Sequence, residues 1–227
     1  MSKDFVYTGR DNLDVMSYAK KYNDYIFMWL KKDLKNGDKI LDFGSGHGEF
    51  FNRFDKNKYS LKAVEPDLNM HEQYPTNSIH ESIEELKMNF DLIYSVNVLE
   101  HIYDDQEVIQ LFKKYLKDHN SSLKIFVPAR QELFSEMDKK VGHYRRYSKS
   151  QLEKLFIENG YKVKSCYYFD SIGYFAALSY KLFNKDGNIN KGGIFFYDRF
   201  IFPLSILFDK LLRHFIGKNI ILEVSLK

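Results

Sequence analysis

Residues 39–48, KILDFGSGHG, run from an apolar stretch through an acid into glycines at every second position. A short apolar run closed by turn residues reads as a buried strand. Gly44, Gly46 and Gly48 then read as a loop whose backbone turns sharply or is approached closely, because glycine alone removes the Cβ from that contact. A strand feeding such a loop belongs to α/β folds, in which ligands bind beyond the carboxyl ends of the strands. The segment from His47 onward is expected to begin a helix.

The chain keeps an alternating rhythm. Val15, Met16, Ala19, Tyr22, Ile26, Trp29 and Leu30 recur at helical spacing, which predicts an amphipathic helix over 11–34, stopped by Asn36-Gly37. Further strands are expected at LKAVE (61–65), NSIHES (77–82), FDLIYSV (90–96), SLKIFVP (122–128), YKVKSCYYF (161–169) and NIILEVSLK (219–227). Helices are expected over 104–117, from Ser148, and over 171–183. Ser148 and Gln151 have capping-box spacing, and Asn159-Gly160 supplies the stop. The glycines around 187–193 are expected to open a loop. Strands alternating with helices predict an α/β fold: a Rossmann-like, seven-stranded, mainly parallel sheet with helices on both faces. One domain is expected over 1–227. It comprises an N-terminal helical cover (1–36), a core (37–170), a C-terminal aromatic segment serving as helical lid or dimer surface (171–218), and a last strand (219–227).

Composition narrows the class. The chain has 227 residues, 44% of them hydrophobic, enough to build a substantial core. A formal charge of +3 gives no support to non-specific nucleic-acid binding. The single cysteine, Cys166, allows neither a disulfide framework nor a cysteine zinc site, which fits a reducing compartment. No signal-peptide pattern opens the sequence, and a cytoplasmic location is expected.

The glycine spacing is G-x-G-x-G, not the dinucleotide G-x-G-x-x-G, and Asp42 stands two residues ahead of it. A carboxylate there disfavours a pyrophosphate and suits a cation or amine. Glu65, ending the second strand, can accept two ribose hydroxyls. A ligand with a ribose, a positive centre and an amino-acid tail meets all three features, and that ligand is S-adenosylmethionine. LDFGSGHG, AVEPD and FDLIYSVNVLEHI, in this order, resemble the first, second and fourth-strand motifs of the class I S-adenosylmethionine-dependent methyltransferases. MSYAKKYNDYI (16–26) and GHYRRYSKSQLEKLFIENGYKV (142–163) resemble a bacterial subgroup linked to surface-polysaccharide or other secondary biosynthesis.

The resemblance implies roles residue by residue. Gly44, Ser45 and Gly46 pass under the methionine part of the cofactor, and Asp42 helps position it. Glu65 holds the ribose, and Pro66 and Asp67 flank the adenine. The adenine edge meets the 81–83 turn, at Ser82 and Ile83; many relatives carry an acid where Ser82 stands. The backbone of Ser95 to Asn97 lines the methionine end, and Tyr22 and Asn23 cover the site.

Methyl transfer from an activated sulfonium needs alignment of the nucleophile and, for a hydroxyl or amine, a base. GHYRRYS (142–148) offers His143 as that base, Tyr144 and Tyr147 as hydroxyls and stacking faces, and Arg145 and Arg146 as forks for phosphate or carboxylate. His101, beyond the fourth strand, is a second candidate base. EHIYDD (100–105) reads as a turn and helix start, and no metal is expected. The expected reaction is O-methylation of a sugar, nucleotide-linked sugar or phosphorylated metabolite, with an anionic small molecule as acceptor. N-methylation of an amino sugar and a non-catalytic cofactor-binding scaffold are the alternatives. Over 194–217, IFFYDRFIFPLSILFDKLLRHFIG is apolar but too interrupted by charge to span a bilayer. It reads as a lid, a homodimer surface or a peripheral membrane contact.

Overall fold

The protein is described by a computed structural model covering residues 15–183 and 190–227, in which seven strands form one sheet of order β3-β2-β1-β4-β5-β7-β6. The parallel strands are β1 (Lys39–Phe43), β2 (Ser60–Val64), β3 (Ile79–His80), β4 (Leu92–Val96) and β5 (Ser122–Pro128). β7 (Asn219–Leu226) lies antiparallel between β5 and β6 (Tyr161–Phe169). The chain leaves β1 toward β2 and β3, then returns to β4 on the other side of β1. That reversal opens a crevice beyond the carboxyl ends of β1 and β4, where the glycine loop lies.

The helices are α1 (Lys20–Lys31), α2 (Asp105–Tyr115), α3 (Glu136–Lys140), α4 (Lys149–Glu158), α5 (Ser171–Phe183), α6 (Lys191–Phe196) and α7 (Phe202–Leu212). Because alternate strand residues face opposite sides, the sheet divides the core in two. Leu41, Ile93, Val127 and Leu222 pack on one face with Phe112 of α2 and Phe156 of α4. Ile40, Tyr94, Phe126 and Ile221 pack on the other with Ile26 and Leu30 of α1 and Phe202 of α7.

The α/β expectation holds, and several local expectations change. Of the helix expected over 11–34, α1 occupies Lys20–Lys31, and residues 11–14 fall outside the described chain. The helix expected from His47 is reduced to one 3-10 turn, Phe51–Arg53. Gly44, Gly46 and Gly48 have φ of 75°, 51° and 74°, so a helix cannot start before Glu49, and Phe54 is already extended. Phe51 and Phe54 are drawn into the core instead. The third strand keeps only Ile79–His80. Gly192 and Gly193 lie in the first turns of α6, capped by the Asn190 side chain, not in a loop; Gly187 lies outside the described residues. Pro203 occupies the first turn of α7, where a missing N–H costs nothing, and a π-turn at Tyr197–Ile201 joins α6 to α7.

Candidate active site

At the carboxyl end of β1 the backbone is closed in on both sides. A Cβ on Gly44 would meet the Val98 methyls at 2.4 and 2.7 Å. The Tyr74 hydroxyl lies 2.9 Å from the Gly46 carbonyl, to which it donates, and braces the loop from the β2 side. Asp42 and Glu65 are buried beneath and beside the loop. Tyr94 donates to Asp42 Oδ2 at 2.7 Å. Glu65 accepts from Gly46 N–H at 2.8 Å and Asp67 N–H at 3.0 Å, which fixes its carboxylate against the loop. Burial pushes the Asp42 carboxyl up to about 7, against the Tyr94 bond and with the Glu65 charge. Burial raises Glu65 as well. Ser45 Oγ and Ser95 Oγ are buried at the same place without a hydrogen-bond partner. Two buried acids with raised pKa values, two orphaned hydroxyls and a backbone without Cβ atoms fit a ligand that is cationic, polar and closely apposed.

The other residues of the cofactor group divide. Asn97 turns out of β4 at φ 54°, anchored by its N–H to the Phe126 carbonyl at 2.8 Å, and carries the chain past Gly44. Asp67 turns inward and caps the next 3-10 turn through Asn69, while Pro66 is half-buried at the rim. Ser82 is half-buried and caps the turn Ile83–Glu85, while the Ile83 side chain is in the core. Tyr22 is buried in the core. Its ring packs on Phe126, Phe169 and Phe202, and its hydroxyl donates to Asn219 Oδ1 at 2.8 Å. Asn23, one residue on, is buried and directed toward Met16 and Glu49.

The GHYRRYS segment folds back on the turn after β4. Tyr144 N–H donates to the Glu100 carbonyl at 2.8 Å. His143 Nδ1 lies 2.7 Å from Asp138 Oδ1, and its ring meets the His101 ring edge-on at 4.5 Å. Arg146 grips both oxygens of Asp138 through Nε and Nη2, at 2.9 and 3.0 Å. Burial alone would raise the Asp138 acid, but the His143 bond and the Arg146 charge hold it at about 2. Arg145 donates to the carbonyls of Ile102 at 3.0 Å and Tyr103 at 2.7 Å and pairs with Asp105 at 2.9 Å. Tyr147 is buried and donates to Asp105. Both guanidinium groups and Tyr147 therefore brace the loop, with the Arg146 side chain buried and the Arg145 side chain half-buried. Tyr144 remains exposed, ring to ring with Tyr103.

Inside this loop, Glu100 is fully buried and neither carboxylate oxygen has a hydrogen-bond partner. Burial pushes its acid up to about 8, opposed by the proximity of its own backbone N–H, short of a hydrogen bond, and by the Arg146 charge. Burial and the adjacent His143 lower His101 to about 3, against backbone bonds to Gly142 and Val141. The segment read from sequence as a plain turn thus brings Glu100 and His101 against His143. Asp138, Tyr74 and Tyr94 are functional neighbours that sequence reasoning missed. Ser135 and Asp138 do have capping-box spacing, and that box forms at α3; Tyr94 stands opposite Asp42 in the strand register.

Residues 17–165 match the family model of the methyltransferase domain, and the chain belongs to that family. No curated protein sequence matches it. Among solved structures it is similar to a chain of the complex between the Haloferax volcanii Trm112 methyltransferase activator and a methyltransferase. The TM-score is 0.63 at 12% identity, over 96% of this chain and 94% of that one. It is also similar to an S-adenosylmethionine-dependent methyltransferase of Archaeoglobus fulgidus, with a TM-score of 0.58 at 17% identity over 89% and 94% of the two chains. A coclaurine N-methyltransferase bound to N-methylheliamine and S-adenosylhomocysteine gives 0.60 at 10% identity over 91% and 72%. The protein is an S-adenosylmethionine-dependent methyltransferase, and the loop geometry described above fits that cofactor.

Proposed function

We propose that the protein methylates a hydroxyl of a small sugar-like acceptor. Gly44, Ser45 and Gly46 carry the methionine part of the cofactor, Glu65 takes the ribose hydroxyls, and Asp42 faces the cationic end. When bound, the cofactor supplies an electrophilic methyl group on sulfonium. The observation that carries the acceptor assignment is His143, whose Nδ1 is tied to Asp138 at 2.7 Å. That bond fixes the tautomer and leaves Nε2 as the proton acceptor, the logic of a base oriented by a buried carboxylate. Arg145 and Arg146 are engaged by Asp105, Asp138 and loop carbonyls, and exposed Tyr103 and Tyr144 offer stacking faces of the kind that receive a sugar ring. The test is methyl transfer to a panel of sugars and nucleotide-linked sugars, read as S-adenosylhomocysteine release and product NMR. His143→Ala should lower kcat by about 10²–10⁴ and leave cofactor binding intact. Methyl on nitrogen would assign an amino-sugar acceptor, and cofactor binding with no turnover on any acceptor would favour a scaffold.

The C-terminal face supports a second element of this reading. Phe175, Phe195, Phe196, Phe200, Leu211 and Phe215 are exposed on α5–α7 and the turn that follows. Lys191, Arg199, Lys210 and Arg213 are exposed among them, whereas Asp198 and Asp209 are buried as helix caps. Aromatic and cationic residues with no exposed acid over 191–218 suit an anionic lipid surface at the cytoplasmic side. No helix among the described residues is long and apolar enough to cross a membrane. Co-flotation with vesicles containing phosphatidylglycerol, but not with pure phosphatidylcholine, is expected, and Phe200→Ser with Arg199→Glu should abolish it. A stable homodimer in solution with no lipid binding would assign the face to a second copy instead.

A further inference from the structure

We propose that Glu100, His101 and His143 form a three-ligand site for a divalent first-row transition ion, Zn(II) or a close neighbour. Each residue offers one ligand atom, and the three atoms lie within 4.8 Å of one another. His143 Nε2 is 3.8 Å from Glu100 Oε1. Ligands on an ion with bonds of about 2.0–2.2 Å stand roughly 3.3 Å apart, so closure requires side-chain shifts of about 1 Å, within rotamer adjustment.

Three independent features converge. The donor set is right for such an ion: two imidazoles and one carboxylate suit zinc, iron or cobalt more than magnesium or calcium. Glu100 is wholly buried with both oxygens unpartnered, an arrangement that is costly unless a cation or a proton answers it. The surroundings are those of a metal-bound histidine. His143 gives Nδ1–H to Asp138 at 2.7 Å, which aims Nε2 into the cluster, and Arg146 holds Asp138 in turn. Such outer partners fix the ring and the tautomer of a liganding histidine. The backbone also joins the two contributing loops, through Tyr144 N–H to the Glu100 carbonyl and His143 N–H to the Asp138 carbonyl, both at 2.8 Å.

Three protein ligands leave a coordination position open, the arrangement of a catalytic site. The site follows Val98 by two residues, and Val98 packs on Gly44, so it borders the methyl end of the cofactor loop. This inference rests on the methyl-transfer reading and deepens it. An acceptor hydroxyl in the open position would release its proton to solvent at neutral pH. Its lone pair would then form the new O–CH3 bond as the C–S bond breaks, and that electron pair would go to sulfur to give S-adenosylhomocysteine. With the ion bound, His143 Nε2 would be a ligand and no longer the base, and lowering the pKa of the acceptor hydroxyl would fall to the ion.

The experiment titrates the chelator-stripped protein with Co(II) and follows its visible bands, with competition by Zn(II) and Mg(II). One equivalent of Co(II) should bind with intense low-coordinate bands, be displaced by Zn(II) and resist Mg(II). Glu100→Gln should weaken binding at least tenfold, and Asp138→Asn by about 10–100-fold. Calorimetric binding of S-adenosylmethionine should persist in both variants, which shows that they fold and separates this result from failure of the methyltransferase reading. Absence of a one-equivalent complex in the unaltered protein, or equal Co(II) affinity in a Glu100→Gln variant that still binds the cofactor, overturns the site.

Discussion

Asp42 carries the clearest consequence of burial at a single residue. Its acid lies near 7 in the folded chain, against a usual 3.8. Between those values the folded chain holds a proton that the unfolded chain gives up, so stability of the ligand-free protein should fall as pH rises from about 4 to 7. A cationic cofactor prefers the ionised acid, so its affinity should rise over the approach to pH 7. Asp42→Asn should flatten both profiles, checked by thermal melts and calorimetry across that range. Glu65→Ala should weaken cofactor binding by about 1–3 kcal/mol, the loss of charge-assisted bonds; calorimetry at pH 8 measures it. Asp138→Ala should cost about 3–5 kcal/mol in urea unfolding, because it leaves Arg146 buried and unpaired. These roles were unequally legible. Asp42, the glycines and Glu65 stand at the ends of two neighbouring strands, so their meeting at one loop could be expected from strand ends and glycine spacing. Arg145 and Arg146 read as anion forks because their partners, Asp105 and Asp138, stand elsewhere in the chain. The cover role of Tyr22 came from the resemblance; helical periodicity identifies its buried face without saying what that face is buried against.

Among the elements, α1 is secured at both ends by distant residues. Asp198 accepts from the N–H groups of Lys21 and Tyr22 at 3.1 and 2.9 Å, where the local N-cap, Ala19, provides no side-chain bond. Buried Lys124, in the middle of β5, donates to the carbonyls of Trp29, Leu30 and Lys32 at the other end. Each charge complements the helix dipole at its end. Asp198→Ala should cost about 1–2 kcal/mol of stability, with Asp198→Asn costing less, as measured by chemical denaturation. Asp209 caps α5 in the same way through Asp170 and Ser171. The two acids that interrupt the apolar 194–217 segment are thus internal caps, a role that a pattern of local charge does not reveal. The Ser148–Gln151 box was legible because it is local, and it forms as expected. The helix expected after His47 failed because three left-handed glycines use up the residues that would start it.

For the whole molecule, the β1–β4 reversal decides where chemistry takes place. It sets the glycine loop, the turn after β4 and the GHYRRYS loop around one crevice. Alternation of strands and helices was sufficient to expect the sheet; the insertion of β7 between β5 and β6 was not, because pairing between segments so far apart in the chain leaves no local signature. The same architecture leaves the apolar and cationic surface of α5–α7 outside the sheet. The central claim is that this crevice holds S-adenosylmethionine. Calorimetric titration of the purified protein with S-adenosylmethionine, S-adenosylhomocysteine and NADH tests it most directly. Micromolar binding of the first two at one equivalent, and none of NADH, is the predicted result. Binding of NADH, or of neither adenosyl ligand, would contradict the account.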